Sequence, residues 1–94
     1  MKVNFNRKFK NFDGSELDGD TIAIMVAKSL FTYGNAETVD SDTKFRAYIL
    51  SQKIAGAAGE VDITVEEASL IKEVCGKSLI AGGYGQVCEI IEQK

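Results

Sequence analysis

The sequence predicts an α+β fold: an N-terminal β-hairpin, with residues 61–63 as a short third strand, packed on about four short helices. Three observations predict it. The first ten residues alternate apolar with polar and run to Asp13-Gly14; apolar residues then recur at helical spacing in several segments; and Thr64-Val65-Glu66-Glu67 spells a helix start. At 94 residues with 45% hydrophobic content, the chain can bury roughly 65% of the surface its unfolded form exposes, which is enough for one core and a single domain.

The first element places Val3, Phe5, Arg7 and Phe9 on one side and Lys2, Asn4, Asn6, Lys8 and Lys10 on the other, the period of a strand with one wet face. Arg7 is the one residue that breaks the apolar side. Asp13-Gly14 supplies the positive φ of a tight turn, so a hairpin follows, with a short return strand at Ser15-Glu16-Leu17. Asp18-Gly19-Asp20-Thr21 then reads as a second turn that feeds a helix N-cap.

From Thr21 to Tyr33, Ile22, Met25, Val26, Ser29, Leu30 and Tyr33 share one helical face, while Ala23, Ile24, Ala27 and Phe31 make the other sides apolar as well. Only Lys28 is charged. A helix this apolar is central to the core or divided between core and a partner, and in so small a domain the second is favoured, with Ile24, Ala27 and Phe31 as the interface. Gly34-Asn35 ends it, and Ala36 to Ser41 form a polar linker. The next helix, about Asp42 to Ala55 with Ser41 or Asp40 as cap, carries the stripe Ala47, Leu50, Ile54, Ala58, flanked by Phe45, Tyr48 and Ile49.

Gly56 and Gly59 close that helix, and Val61-Asp62-Ile63 suits a strand added to the hairpin edge. In the capping box that follows, the Thr64 hydroxyl takes the Glu67 amide and the Glu67 carboxylate returns to the Thr64 amide. The helix so begun buries Ala68, Ile71, Val74 and Cys75, and frays at Gly76 to Ser78. A loop over Leu79 to Gly83, glycine-rich as far as Gly85, leads to a last helix near Tyr84 to Gln93 with Tyr84, Val87, Cys88 and Ile91 inside.

Several constellations fail as chemical sites. Gly76-Lys77-Ser78 lacks the glycine and the strand that a phosphate loop needs, since Ile71 stands where the first glycine belongs. Asp13, Ser15, Asp18 and Asp20 do not match a calcium loop, whose fifth and twelfth positions would be Leu17 and Ile24. Cys75 and Cys88 match no zinc spacing, no histidine is present, and Cys75 has no base to activate it. The expectation is therefore no catalytic residue, no metal and no cofactor.

Charge is uneven along the chain. Residues 1–12 hold Lys2, Arg7, Lys8 and Lys10 with no acid, leaving seven basic against fourteen acidic residues elsewhere, a net of −7. A field of that sign disfavours nucleic acid except at the first twelve residues. An alternative function follows from them: a small nucleotide or nucleic-acid binder that uses Lys2, Arg7, Lys8 and Lys10, joined by Gly83 in the glycine-rich turn. No apolar run approaches the ~18 residues of a membrane span, and no secretory h-region is visible, so the expected setting is cytoplasmic, with no membrane partner.

Phe9-Lys10-Asn11-Phe12-Asp13-Gly14, the apolar helix ending near Leu30, Lys44 to Ile54 with Tyr48 and Lys53, Val61-Asp62-Ile63-Thr64, Glu66-Glu67-Ala68, Leu70-Ile71-Lys72, and Gly85-Gln86 through Ile90-Ile91-Glu92 form a succession. It resembles small uncharacterised proteins carried by bacteriophages and prophages. That resemblance implies a phage accessory or assembly protein in the bacterial host cytoplasm, and it carries no ligand residues onto this chain. The function expected is a non-catalytic, homo-oligomeric interaction module that binds a further, unidentified protein, with virion assembly as another alternative.

Overall fold

A computed structural model describes residues 1–35 and 38–93. It is an α+β fold with elements in the order β1 (Lys2–Asn4), β2 (Lys8–Lys10), β3 (Glu16–Thr21), α1 (Ile22–Phe31), α2 (Ser41–Ala55), β4 (Glu60–Asp62), α3 (Val65–Ser78) and α4 (Ala81–Glu92). Among the described residues the strands form two separate antiparallel pairs, β1 with β4 and β2 with β3. The first two residues of the expected 36–41 linker lie outside the described residues.

The N-terminal segment is two strands rather than one, and the break has an identifiable cause. The Arg7 amide donates to the Phe5 carbonyl at 2.8 Å, a tight reversal. The same turn then serves α1: the Ile22 amide donates to the Arg7 carbonyl and the Ala23 amide to the Phe5 carbonyl, each at 2.8 Å. A helix leaves its first amides without intrahelical partners, and here the turn supplies two acceptors while Thr21 Oγ1 takes the Ile24 amide at 3.3 Å. The bend also resolves the misfit in the alternation, because it puts Phe5 in the core and Arg7 in solvent.

The hairpin turn forms as expected. Gly14 has φ +89°, its amide bonds the Asn11 carbonyl at 2.9 Å, and Asp13 accepts from the Ser15 hydroxyl at 2.6 Å. The return strand, however, does not stop at Leu17. It continues to Thr21 and absorbs the expected second turn as an irregularity: Lys8 pairs with Thr21 and Lys10 with Glu16, so two steps along β2 match five along β3. Gly19, at φ +121°, permits the excursion. The strand at 61–63 is likewise displaced: β4 covers Glu60 to Asp62 and pairs with β1, Val3 opposite Val61, instead of extending the hairpin.

Buried residues from every helix, from β1 and β4 and from the residues that follow those strands form the core, with Phe5, Ile22, Leu30, Leu50, Ile54, Ile63 and Ile71 the largest fully buried side chains. Ala27, expected at an interface, is buried in it, because α1 packs most extensively against α2. On α2, Ser51 takes the inner row with Ala47, Leu50 and Ile54, its hydroxyl bonded to the Tyr48 carbonyl, and Ala58 lies beyond the helix, exposed.

The capping box is present, with the Glu67 amide to Thr64 Oγ1 at 3.0 Å and the Thr64 amide to Glu67 Oε1 at 2.8 Å. Lys53 Nζ joins the same carboxylate at 2.9 Å. Thr64→Ala is expected to lower the unfolding free energy by about 1 kcal/mol in a urea titration. A change within error would show that the Lys53 pair holds this end of α3 unaided.

Two expectations about α3 and α4 need correction. Helix α3 does not fray at Gly76 but runs through Ser78, and α4 starts at Ala81, so Gly82, Gly83 and Gly85 are helical rather than a loose turn. Glycine costs a helix interior about 1 kcal/mol per residue, so packing must outweigh propensity here. Gly83 shows how: a Cβ there would stand 3.6 Å from the Phe9 ring, which lies directly against the helix backbone.

Candidate functional site

Three surfaces stand out. The first is the outer face of α1 and α2. Ile24 and Phe31 on α1, and Phe45, Tyr48 and Ile49 on α2, are all large, apolar and exposed. They are not scattered: the Phe31 and Tyr48 rings lie 6.1 Å apart, tilted, and the Phe45 and Tyr48 rings 6.5 Å apart, stacked. The cluster forms because two helices packed side by side bring the residues just outside their shared seam together. A groove beside it is lined by Ile24, Ala27, Phe31, Gln52 and Ala55. Of the three expected interface residues, Ile24 and Phe31 lie on this surface; Ala27 contributes only to the groove floor. Phe45, Tyr48 and Ile49 flank the core stripe in the sequence, and their position off the buried row of α2 is the signal that they face outward.

The second surface is a cleft of about 670 Å³ between the hairpin tip and the start of α4, lined by Phe9, Phe12, Leu17, Met25, Leu79 and Ile80. Phe12 is 98% exposed and Ile80 83%. Gly83 belongs to this cleft and not to the basic cluster with which it was grouped. Asp18 and Asp20 stand at the rim, Asp20 paired with Lys28 at 2.9 Å. No pattern in the sequence marks this cleft, because it is assembled from four separate segments.

The third is a cavity of about 430 Å³ between the N-terminal strands and α4, and it brings Lys2, Arg7, Lys8 and Lys10 together. Its floor is Val3, Ile22 and Ile90, and Glu60 and Glu89 also line it. Two side-chain amides fasten its ends. Gln86 accepts from the Lys10 amide at 2.8 Å and donates to the Lys10 carbonyl at 2.9 Å, as a neighbouring strand would. Gln93 donates to the Lys2 carbonyl at 3.0 Å. Lys8 Nζ donates to the Gly19 carbonyl.

The remaining reactive groups are inward. Burial pushes the Cys75 thiol up to about 12, against a partial opposing effect from its hydrogen bond with Ser29, so at neutral pH it is not a thiolate. Cys88 is half-buried, and its contact with the Tyr84 hydroxyl raises that phenol. Among the described residues no group of three or more Cys, Asp or Glu side chains is placed to hold a metal ion, and no helix is long and apolar enough to cross a membrane. Compared with protein-family models, with curated proteins and with solved structures, the chain matches none.

Proposed function

We propose that the protein is a non-catalytic interaction module that self-associates through the α1–α2 aromatic face and receives a different protein at the Phe12 cleft. The observation that carries this reading is the contiguous exposed cluster of Ile24, Phe31, Phe45, Tyr48 and Ile49. Single exposed apolar residues are ordinary, but a contiguous patch rimmed by polar residues marks an association surface. Aromatic residues also dominate the energetics of such surfaces. A second copy suits the face because the flanking groove carries both signs, Arg46 with Glu66 and Glu67, which lets one surface meet its own image. The setting proposed with it is the bacterial cytoplasm, as a phage-type accessory protein; mass spectrometry of purified particles would separate a virion component from a factor that stays behind.

Analytical ultracentrifugation tests the self-association. The wild type is expected to sediment above monomer mass at high micromolar concentration. Ile24→Glu and Phe31→Glu, both at exposed positions, are expected to return it to monomer with an unchanged circular dichroism spectrum. A monomeric wild type, or variants that sediment as it does, would remove the proposal.

A further inference from the structure

A second site, independent of the apolar faces, lies in the cavity between β1, β2 and α4. We infer that this cavity binds a small phosphate ester that also carries hydroxyl groups, of nucleotide or sugar-phosphate size.

Three cations elsewhere sit in close ion pairs: Lys28 with Asp20, Lys53 with Glu67 and Lys72 with Glu92, all within 3 Å. Among the described residues Lys2, Arg7, Lys8 and Lys10 form no ion pair, although Glu60 and Glu89 line the same cavity. Folding has set four like charges around one concavity in a chain whose remaining residues carry a net charge of −7. Their mutual repulsion is relieved when an anion of more than one charge enters. Arg7 offers a planar fork suited to phosphate oxygens, and the lysines offer point charges, that of Lys8 held beside the Gly19 carbonyl.

The shape of the cavity suits such a ligand. About 430 Å³ falls within the range of small-molecule sites, and the apolar floor of Val3, Ile22 and Ile90 could not satisfy a bare inorganic ion. The two glutamates are acceptors only, so within a cationic wall they select for a ligand with hydrogen-bond donors. Polynucleotide is a poorer fit. Its backbone would have to continue beyond the cavity over a surface that carries the remaining net charge of −7.

The cavity is also held in shape. Gln86 clamps the Lys10 peptide through both its amide and its carbonyl, Gln93 holds Lys2, and the Phe5–Arg7 turn is bonded onto the start of α1. The four cations therefore project from a braced backbone, and less ordering remains to be done on binding.

The test is isothermal titration of the full chain with ADP, glucose 6-phosphate and tripolyphosphate, with a fluorescent single-stranded oligonucleotide as a separate arm. ADP or glucose 6-phosphate, or both, are expected to bind, and which of them does separates a nucleotide site from a sugar-phosphate site. The double variant Arg7→Glu/Lys8→Glu is expected to bind about tenfold more weakly or worse, while Lys44→Glu on α2, outside the cavity, leaves affinity unchanged. Glu89→Gln should weaken the organic phosphates and spare tripolyphosphate. All the side chains changed are exposed, so the fold is retained, and circular dichroism checks it. The inference is overturned if none of the three phosphates binds, if Lys44→Glu costs as much as the double variant, if tripolyphosphate binds as tightly as the organic esters, or if the oligonucleotide outcompetes them.

Discussion

Replacing Phe5 with alanine is expected to lower the unfolding free energy by about 3–5 kcal/mol, a fifth or more of what a domain of this size commonly has. Phe5 is 1% exposed, the largest of the fully buried side chains, and it is the anchor of the turn that separates β1 from β2. Removing the ring leaves a void at the point where the Phe5 carbonyl receives both the Arg7 and the Ala23 amides. The effect should therefore reach beyond stability: without its anchor the turn relaxes, the first amides of α1 lose fixed acceptors, and Arg7 leaves the cationic wall. Urea denaturation followed by circular dichroism measures the first consequence. Titration with ADP under native conditions measures the second. A loss below about 1 kcal/mol would mean that the neighbouring side chains collapse into the space and that the turn stands without the ring.

Alkaline pH is expected to weaken the fold through Cys75. Burial holds this thiol, 0% exposed, at about 12, against an ordinary value of 9.0. The folded chain keeps the proton to higher pH than the unfolded chain does, so this contribution is complete below pH 9 and is lost as pH rises from there toward 12. At 1.36 kcal/mol per unit the whole span is worth about 4 kcal/mol. Other groups ionise in the same range, so the measurement is a difference: between about pH 8 and about pH 11 the wild type should lose roughly 3 kcal/mol more than Cys75→Ala. Parallel curves for the two proteins would show that the thiolate is solvated inside the fold at little cost.

Much of the fold was legible because its signals are local. The Thr64-Glu67 box involves four successive residues, the Asp13-Gly14 turn needs only a positive φ, and α1 and α2 are fixed by caps at Thr21 and Asp40 that any reading of polar residues before an apolar run would find. The failures in strand pairing are long-range. Nothing near Val61 says that its partner is Val3, and nothing in Asp18-Gly19-Asp20 reveals that pairing with β2 draws an apparent turn into a strand. The three glycines of α4 argue for a loop by propensity, and only the Phe9 ring seated against Gly83 shows why helix wins.

The candidate surfaces follow the same division. The basic cluster was visible as composition, but alternation assigned Arg7 to the core face, and the reversal at Phe5 that returns it to the lysines is a tertiary effect. Ile24 and Phe31 were found from the surplus of apolar residues on α1. Ala27 was misplaced because a helical wheel shows which residues are apolar but not where a neighbouring helix will lie.

The two glutamine clamps have a kinetic consequence. Gln86 and Gln93 reach Lys10 and Lys2 across 76 and 91 positions of chain, and β1 must wait for a partner strand nearly sixty residues downstream. Loops of that length close slowly against conformational entropy, whereas the α1–α2 hairpin and the α3–α4 pair need only neighbours in sequence. β1 therefore docks only after β4 and α4 have been made, whereas β2 closes early on its neighbour β3. A partly refolded chain would bury its helices before it acquires the cationic cavity, so any ligand taken there recognises only molecules in which β1 has reached β4 and α4.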